Sequence, residues 1–181
     1  MKVSFLRHAQ TQANRDGILQ GRTDTPISDI GVEQANEAAK KWKDISVDCV
    51  YCSPLLRARQ TAEIVLKGRD VPVIFDDRLS ERYFGEFQMR SVEDLLAAGF
   101  EWERSYSEYD YSLFGIESLG SVRDRVNSFL EDLKKEPFNH VLIISHGAVA
   151  MLFRLYFLGG KLLWDEQKID NCHWVEYWLE R

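Results

Sequence analysis

Two histidines in the sequence follow apolar runs that predict buried β-strands. His8 comes after Val3–Leu6 and Arg7, and His146 comes after Val141–Ser145. Because the carboxyl ends of parallel strands meet at one edge of a sheet, we expect both imidazoles to lie at the same edge. An imidazole titrates near pH 6.5 and can act there as a nucleophile, an acid or a base. The alternative is that both are ordinary polar residues that close their strands.

Two helix starts add a potential anion site to this pattern. Gly147 is expected to begin a helix, and the unpaired N–H groups and dipole of a helix start favour an anion. Ser53 and Pro54 predict a second helix start, which places Arg57 in a first turn where the dipole disfavours a cation. A guanidinium there calls for a compensating carboxylate or phosphate, unless it is simply solvated.

The elements that would carry these residues alternate along the chain. Helices are expected to start at Ser28, Ser53, Ser121 and Gly147, and the last should stop at Gly159–Gly160. The apolar runs that predict strands are Val3–Leu6, 47–52, Val71–Phe75, Val141–Ser145 and Asn171–Leu179. This alternation predicts an α/β fold: a three-layer sandwich in which a mostly parallel central sheet has helices on both faces. The polar stretch 9–28 is long for a connection, which favours a functional loop.

Composition limits the partners. The 181 residues suit one domain, and 45% hydrophobic residues suffice for a packed core. With 23 Lys and Arg against 29 Asp and Glu, the net charge of −6 gives no overall attraction to nucleic acid or anionic lipid. No apolar run approaches the ~18–20 residues of a membrane span, and the first ten residues turn polar too early for a secretory leader. We expect a cytoplasmic protein without nucleic-acid or membrane partners, and the sequence leaves its oligomeric state open.

Cys49 and Cys52 form a CxxC pattern inside the second predicted strand. Side chains three residues apart on a strand point to opposite faces, which suits neither a disulfide nor a shared metal. No second CxxC and no nearby histidine completes a zinc site. We interpret these cysteines as structural and predict no metal site.

Five blocks of the sequence, in order, resemble the histidine phosphatase superfamily, the phosphoglycerate-mutase-like fold. They are RHAQTQAN at 7–14, SPLLRARQTAEIV at 53–65, RLSERYFGEF at 78–87, GIESLGSVRDRV at 115–126 and ISHG at 144–147. The resemblance implies one histidine phosphatase domain over 1–181. The family usually has Gly where Ala9 stands, which is a difference of one methyl group. The sequence after Phe87 also departs from the usual pattern of the phosphatase branch.

The resemblance implies a role for each candidate residue. His8 would accept the phosphoryl group and Glu81 would protonate the leaving oxygen. The phosphate pocket would consist of Arg7, Arg57 and His146, and the implied substrate-binding residues are Asn14, Gln20, Gly21 and Gly147. Phosphoryl transfer depends mostly on positioning and on stabilising spread negative charge, which these groups can provide without a metal or another cofactor. His140 and His173 have no matching role, and we interpret them as structural or surface residues.

We therefore predict a metal-independent histidine phosphatase of the acid type, which hydrolyses small-molecule phosphomonoesters through a phosphohistidine. Sugar phosphates, α-ribazole phosphate, phosphoglycerates and phosphorylated amino acids are the candidate substrates. One alternative is a phosphoglycerate mutase, but mutases of this fold carry an insertion with adjacent basic residues, whereas the matching region here is short and acidic. The other alternative is a non-catalytic phosphate-binding protein on the same fold, which would be expected to lose at least one reacting group.

Residues 99–114 alternate aromatic and acidic side chains, GFEWERSYSEYDYSLF. They belong to a predicted lid or insertion at about 86–116, between the loop that carries Glu81 and the next helix. One interpretation is a lid that selects substrates. The other is a packed helical insertion with a solvated acidic face.

Overall fold

A twisted sheet forms the centre of the computed structural model, which describes residues 1–101, 114–159 and 169–181. Within these ranges the sheet has five strands in the order β3-β2-β4-β1-β5. The strands are β1 (Lys2–Arg7), β2 (Cys49–Cys52), β3 (Val73–Phe75), β4 (His140–Ser145) and β5 (Trp174–Trp178). The first four are parallel and β5 runs antiparallel to β1. The predicted mostly parallel sheet is confirmed.

The register of the central strands places the candidate residues at one edge. Arg7 at the end of β1 pairs with Ser145 at the end of β4, and Cys52 at the end of β2 pairs with Ile144. The next residues along these strands are His8, His146 and Ser53. All three therefore leave the sheet together at its carboxyl edge, as expected for the two histidines.

Helices cover both faces of the sheet. The described helices are α1 (Gln12–Arg15), α2 (Asp29–Trp42), α3 (Leu56–Val65), α4 (Val92–Ala97), α5 (Leu119–Leu133) and α6 (Gly147–Phe157), with 3₁₀ turns at Asp77–Leu79 and Gly85–Phe87. Helices α2 and α3 pack on one face over Val50, Leu142 and Ile144. Helices α5 and α6 pack on the other face over Phe5 and Ile143. Full burial of such side chains is worth about 1.5–3 kcal/mol each, so this packing fixes the sheet edge.

Side-chain caps mark the starts of some of the described helices but not of α3 and α6. Ser28 caps α2 as predicted, since its Oγ accepts from Gly31 N at 3.1 Å. The predicted start at Ser121 is wrong, because Ser118 is the cap and accepts from Ser121 N at 3.1 Å. Ser53 is likewise not the cap of α3, which begins at Leu56. At α5 two serines three residues apart can each act as a cap, and Ser118 does so. At α3 the N-cap is Leu55, which makes no side-chain cap hydrogen bond, so the Ser53–Pro54 pattern lies just before the actual start.

Other bounds differ from the expectations by a few residues. The third strand is Val73–Phe75 rather than Val71–Phe75, and the last is Trp174–Trp178 rather than Asn171–Leu179. The polar stretch 9–28 contains the short helix α1. Helix α6 ends at Phe157, and Gly159 follows with a φ of +67°, the left-handed conformation that commonly ends a helix.

The two cysteines of the CxxC pattern face opposite sides of the sheet. Cys49 packs with the α5 and α6 side, and Cys52 packs with the α2 and α3 side. Both are free and buried. The structural interpretation of this pattern is confirmed, and the geometry is the strand alternation that the spacing predicts.

A third apolar cluster lies beside the sheet edge. Its buried members are Leu19, Phe84, Phe87, Leu95, Phe100 and Ile116. The cluster joins the 9–28 loop to the segment after Glu81. Residues 102–113, which form most of the predicted lid or insertion, lie outside the described residues. None of the helices in the described ranges is long and apolar enough to span a membrane.

Candidate active site

The carboxyl edge of the sheet brings the predicted catalytic residues into one cluster. The rings of His8 and His146 have their centroids 5.1 Å apart. His8, His146 and Arg57 are each at most 2% exposed. A methyl group on Gly147 would lie 3.7 Å from both the Arg7 guanidinium carbon and Glu81 Oε2, so these two groups meet at the start of α6.

His8 is held in a single orientation. Its Nδ1 donates to the Ala9 carbonyl at 2.7 Å, because a carbonyl oxygen can only accept. Its own carbonyl accepts from the Asn171 amide at 3.0 Å. Burial, followed by the positive charges of Arg57 and Arg7, holds the pKa of His8 well below its ordinary value. The imidazole is therefore neutral, with its proton on Nδ1 and its lone pair on Nε2.

The loop between β1 and α2 wraps around Arg57. The guanidinium donates to Gly21 O at 2.7 Å and to Thr23 O at 3.0 Å, while its Nε has no hydrogen-bond partner among the described residues. Burial lowers the pKa of Arg57 to about 10, against the opposing effects of Glu81 and Asp24. The cation is thus buried with only part of its donor capacity used.

Gly21 suits the conformation of this loop. Its φ is +52°, a left-handed conformation that favours glycine. A Cβ there would lie 2.2 Å from Gln88 Oε1, so a side chain would have to displace the flexible end of Gln88. In the structure Gly21 presents its carbonyl to Arg57, and its substrate-binding role stays a prediction.

Arg7 provides a second guanidinium, and His146 provides a ring N–H. Arg7 Nη1 donates to Ile169 O at 2.6 Å, and its buried Nε has no hydrogen-bond partner in the described part of the chain. Burial lowers the pKa of Arg7, although Glu81 and Asp170 raise it. His146 Nε2 contacts Ser53 Oγ at 2.7 Å, and its buried Nδ1 is unpartnered among the same residues.

His146 is also neutral. Burial is the main cause that holds its pKa well below the ordinary value, followed by the charge of Arg57. A neutral imidazole carries one N–H and one acceptor nitrogen. Ser53 Oγ accepts from Leu55 N at 3.3 Å, so its hydroxyl proton can be donated to His146 Nε2. In that arrangement Nδ1 carries the proton and can donate to an anion.

Glu81 occupies the start of α6. Its Oε2 accepts from Gly147 N at 3.0 Å, and its Oε1 accepts from Ala148 N at 3.1 Å and from Arg82 N at 2.8 Å. The sequence predicts an anion at this helix start, with Gly147 as a substrate-binding residue. In the structure the anion is the carboxylate of Glu81, which uses the same N–H groups.

Asn14 and Gln20 lie further along the loop. Asn14 Oδ1 accepts from Thr11 N at 3.2 Å and from Asn171 Nδ2 at 3.3 Å, which places it next to the residue that fixes the His8 backbone. Gln20 is buried, and its Oε1 accepts from the hydroxyls of Thr11, at 2.9 Å, and Thr25. The side-chain oxygen of Gln20 thus forms hydrogen bonds within the 9–28 loop itself.

Some residues of the site are absent from the prediction. Ser53 contacts His146, and Asn171 contacts the His8 carbonyl. Thr61 accepts from Ala9 N at 2.9 Å and donates to Arg57 O at 2.7 Å. Ser53 and Thr61 both lie in the block SPLLRARQTAEIV, so that block carried a signal for them. Asn171 has none, because the antiparallel strand that brings it to β1 is a tertiary feature.

The side chains of the other two histidines have different surroundings, although the His173 carbonyl accepts from Arg7 N at 3.1 Å. His140 begins β4 at the opposite edge of the sheet, where its Nε2 contacts Ser4 Oγ at 2.9 Å. His173 is exposed. Their interpretation as structural and surface residues is confirmed.

Comparisons with known proteins identify the same family as the sequence resemblance. Residues 3–180 match the model of the histidine phosphatase superfamily (branch 1). The adenosylcobalamin/alpha-ribazole phosphatase of Escherichia coli K12 is 30% identical over 177 residues, which cover 95% of this chain and 87% of that protein. An Escherichia coli protein named "Probable phosphoglycerate mutase GpmB" is also 30% identical, with 95% and 82% coverage. The crystal structure of the alpha-ribazole phosphatase from Shigella flexneri superposes with a TM-score of 0.83 at 30% identity, over 97% of this chain and 89% of that chain.

Proposed function

Because the chain belongs to the histidine phosphatase superfamily, we propose that it hydrolyses small-molecule phosphomonoesters through a phosphohistidine at His8, without a metal. One observation carries the proposal. His8 donates a hydrogen bond from its Nδ1–H to Ala9 O, so the lone pair on Nε2 of the neutral ring is held within a buried cluster of cations. A fixed, neutral imidazole beside guanidiniums is what attack on a phosphate dianion requires.

The negative charge of the transferring group would be stabilised by Arg7, Arg57 and His146. Each has a buried side-chain nitrogen without a hydrogen-bond partner among the described residues. An unsatisfied buried polar group costs about 1–3 kcal/mol. A phosphoryl group bound between these three nitrogens would satisfy them, and positioned cations and donors of this kind make the largest contribution to phosphoryl transfer.

Glu81 is the proposed acid for the leaving oxygen. Its carboxylate lies at the start of α6, where the N–H groups that hold it also favour a phosphate. In this mechanism the substrate phosphate takes those N–H groups, and Glu81 moves to the leaving oxygen. There the carboxylate takes up a proton, from solvent or from a monoanionic substrate, and then donates it to the leaving oxygen. The bond from phosphorus to the leaving oxygen breaks as the bond to His8 Nε2 forms. Water then attacks phosphorus, Glu81 takes its proton, and His8 leaves.

We also propose that the enzyme is of the acid type. An imidazole with an ordinary pKa of about 6.5 is only about one-tenth neutral at pH 5.5. The lowered pKa of His8 makes the neutral fraction of the nucleophile at that pH larger than that of an ordinary imidazole. We therefore expect kcat/KM for p-nitrophenyl phosphate to show no tenfold loss between pH 7.5 and 5.5.

A phosphoglycerate mutase is the second candidate. The chain is 30% identical both to the phosphatase relative and to the relative named as a probable mutase, so sequence identity does not separate the two activities. A mutase must hold a carboxylate beside the phosphate, for which adjacent basic residues are expected. The sequence from 86 to 116 has no such pair. Incubation with 3-phosphoglycerate separates the two, since a mutase accumulates 2-phosphoglycerate and a phosphatase releases free phosphate.

The proposal is tested with a panel of phosphomonoesters that includes sugar phosphates, α-ribazole phosphate, phosphoserine and 3-phosphoglycerate. We expect phosphate release from at least one alkyl ester, and loss of that release in His8→Ala. A protein that binds phosphate with no release from any ester would be the non-catalytic alternative.

A further inference from the structure

One sequence block of the family resemblance, GIESLGSVRDRV at 115–126, contributes no residue to the proposed chemistry. It nevertheless contains a guanidinium directed at the loop that carries Glu81. Arg125, on α5, donates from Nη1 and Nη2 to backbone carbonyls of that loop. The acceptors are Arg78 O at 2.6 Å, Ser80 O at 2.6 Å and Glu81 O at 3.2 Å. Three carbonyls of the segment that runs from the 3₁₀ turn Asp77–Leu79 to Glu81 thus converge on one side chain.

Glu117, from the same block, completes the arrangement. Its carboxylate accepts from Arg125 Nε at 3.0 Å and from Nη2 at 3.2 Å, a bidentate pair. It also accepts from Tyr83 N at 3.0 Å, just beyond Glu81. Burial would raise the pKa of Glu117, but Arg125 and Arg22 lower it below its ordinary value, so the carboxylate is ionised.

The Glu117 and Arg125 side chains are 11% and 14% exposed. A partly buried, bidentate ion pair holds its two side chains in one geometry. Exposed ion pairs, in contrast, contribute little to stability. Arg22 adds to it from the 9–28 loop, donating from Nε to Glu81 O at 3.2 Å and from Nη2 to Glu117 at 3.0 Å. The main chain of Glu81 is therefore fixed on both sides while its side chain reaches the start of α6.

We infer that Arg125 and Glu117 are a positioning pair for the reaction: they hold the backbone of Glu81 so that its carboxyl lies over the N–H groups of Gly147 and Ala148 and within reach of the leaving oxygen. The inference rests on the proposed function for the identity of the leaving oxygen. It assigns neither residue to contact with substrate. A displacement of about 1 Å at a reacting group can cost about 10²-fold in rate, so a stiff support for the acid is needed.

A merely structural role predicts a different outcome. If the pair only stabilised the fold, its loss would lower the melting temperature and reduce all activities together. If it positions the acid, its loss must mimic the loss of Glu81. Aryl phosphates leave as stabilised phenolates and need little protonation, whereas alkyl phosphates depend on it.

The kinetic test compares Arg125→Lys with the control Arg123→Lys. Arg123 lies on the same helix, its side chain is 64% exposed, and it pairs with Asp124 at 3.6 Å. A lysine at 125 keeps the charge but cannot reproduce the fork of donors. We expect kcat for a hydrolysed alkyl phosphate to fall about tenfold or more, kcat for p-nitrophenyl phosphate to fall less than about threefold, and KM not to rise. Arg123→Lys should match the wild type.

A double variant gives a sharper result. In a Glu81→Gln background, Arg125→Lys should produce no further loss on the alkyl ester, because residues that act as a unit are not additive. Equal losses on both esters, or a multiplicative loss in the double variant, would overturn the inference.

A second measurement does not depend on catalysis. Amide hydrogen exchange of Gly147 and Ala148 reports the hydrogen bonds to Glu81. We expect faster exchange at both amides in Glu81→Gln and in Arg125→Lys, and wild-type rates in Arg123→Lys. Wild-type protection in Arg125→Lys would contradict the positioning role. If no phosphomonoester is hydrolysed, the proposed function fails, and the exchange result still decides whether the pair positions Glu81.

Discussion

Replacing Glu81 by glutamine should tighten the binding of inorganic phosphate, although it removes the proposed acid. In the ligand-free structure the carboxylate accepts from Gly147 N at 3.0 Å and from Ala148 N at 3.1 Å. A phosphate that uses the same N–H groups must first displace it. Glutamine has a similar length but carries no charge and has only one acceptor oxygen.

The size of the effect follows from the two hydrogen bonds. A hydrogen bond to a charged group contributes about 1.5–3 kcal/mol, roughly twice the contribution of a hydrogen bond between neutral groups. Weakening the internal competitor should therefore favour phosphate by about 1–2 kcal/mol. At about 1.4 kcal/mol per tenfold, phosphate should bind roughly 5–30-fold more tightly.

Isothermal titration calorimetry at pH 7.5 measures this directly. Glu86→Gln is the matched control, because it makes the same substitution at an exposed residue five positions after Glu81. Its dissociation constant for phosphate should equal that of the wild type. Unchanged or weaker phosphate binding in a folded Glu81→Gln variant would refute the view that Glu81 and phosphate share the helix start.

The remaining predictions concern the acid, the histidines and metals. Glu81→Gln should slow alkyl phosphates by about 10²–10⁴-fold and p-nitrophenyl phosphate much less, as compared in steady-state assays; equal losses would remove Glu81 from the acid role. The free energy of unfolding, measured in urea, should decrease as the pH falls below about 6.5, by up to about 1.4 kcal/mol per pH unit for each buried histidine. The sign follows because the pKa values of His8 and His146 are lowered on folding, so the unfolded chain binds more protons; a flat profile from pH 7.5 to 5.5 would contradict it. Activity should survive EDTA, since Arg7 and Arg57 already supply positive charge and would repel a metal ion; restoration of a lost activity by Mg²⁺ would count against this.

Much of the fold could be predicted from local pattern. Val3–Leu6 and Val141–Ser145 are unbroken apolar runs, which is typical of central parallel strands buried on both faces. Their register then forces His8 and His146 to one edge, so these candidates follow from strand periodicity and sheet geometry. Helix starts are less predictable, because Ser118 and Ser121 are equally good caps in sequence and only the tertiary structure shows that Ser118 is the cap.

The least predictable features are those that depend on side chains meeting across the chain. The sequence predicts an anion at the start of α6, but nothing in the pattern shows that Glu81 reaches it from 66 residues away. Asn171 contacts the carbonyl of His8 across 163 residues. The catalytic and substrate-binding roles of the site residues, like the cytoplasmic location, stay predictions until they are measured.

The most direct test of the phosphohistidine is to trap it. The wild-type enzyme is mixed with a ³²P-labelled phosphomonoester that it hydrolyses and is quenched in base within one turnover. We expect label that is stable in base and labile in acid, located on the peptide with His8. It should be absent from His8→Ala, which should still bind phosphate. Ordinary turnover by His8→Ala, or a wild type that hydrolyses the ester without passing label through His8, would contradict it.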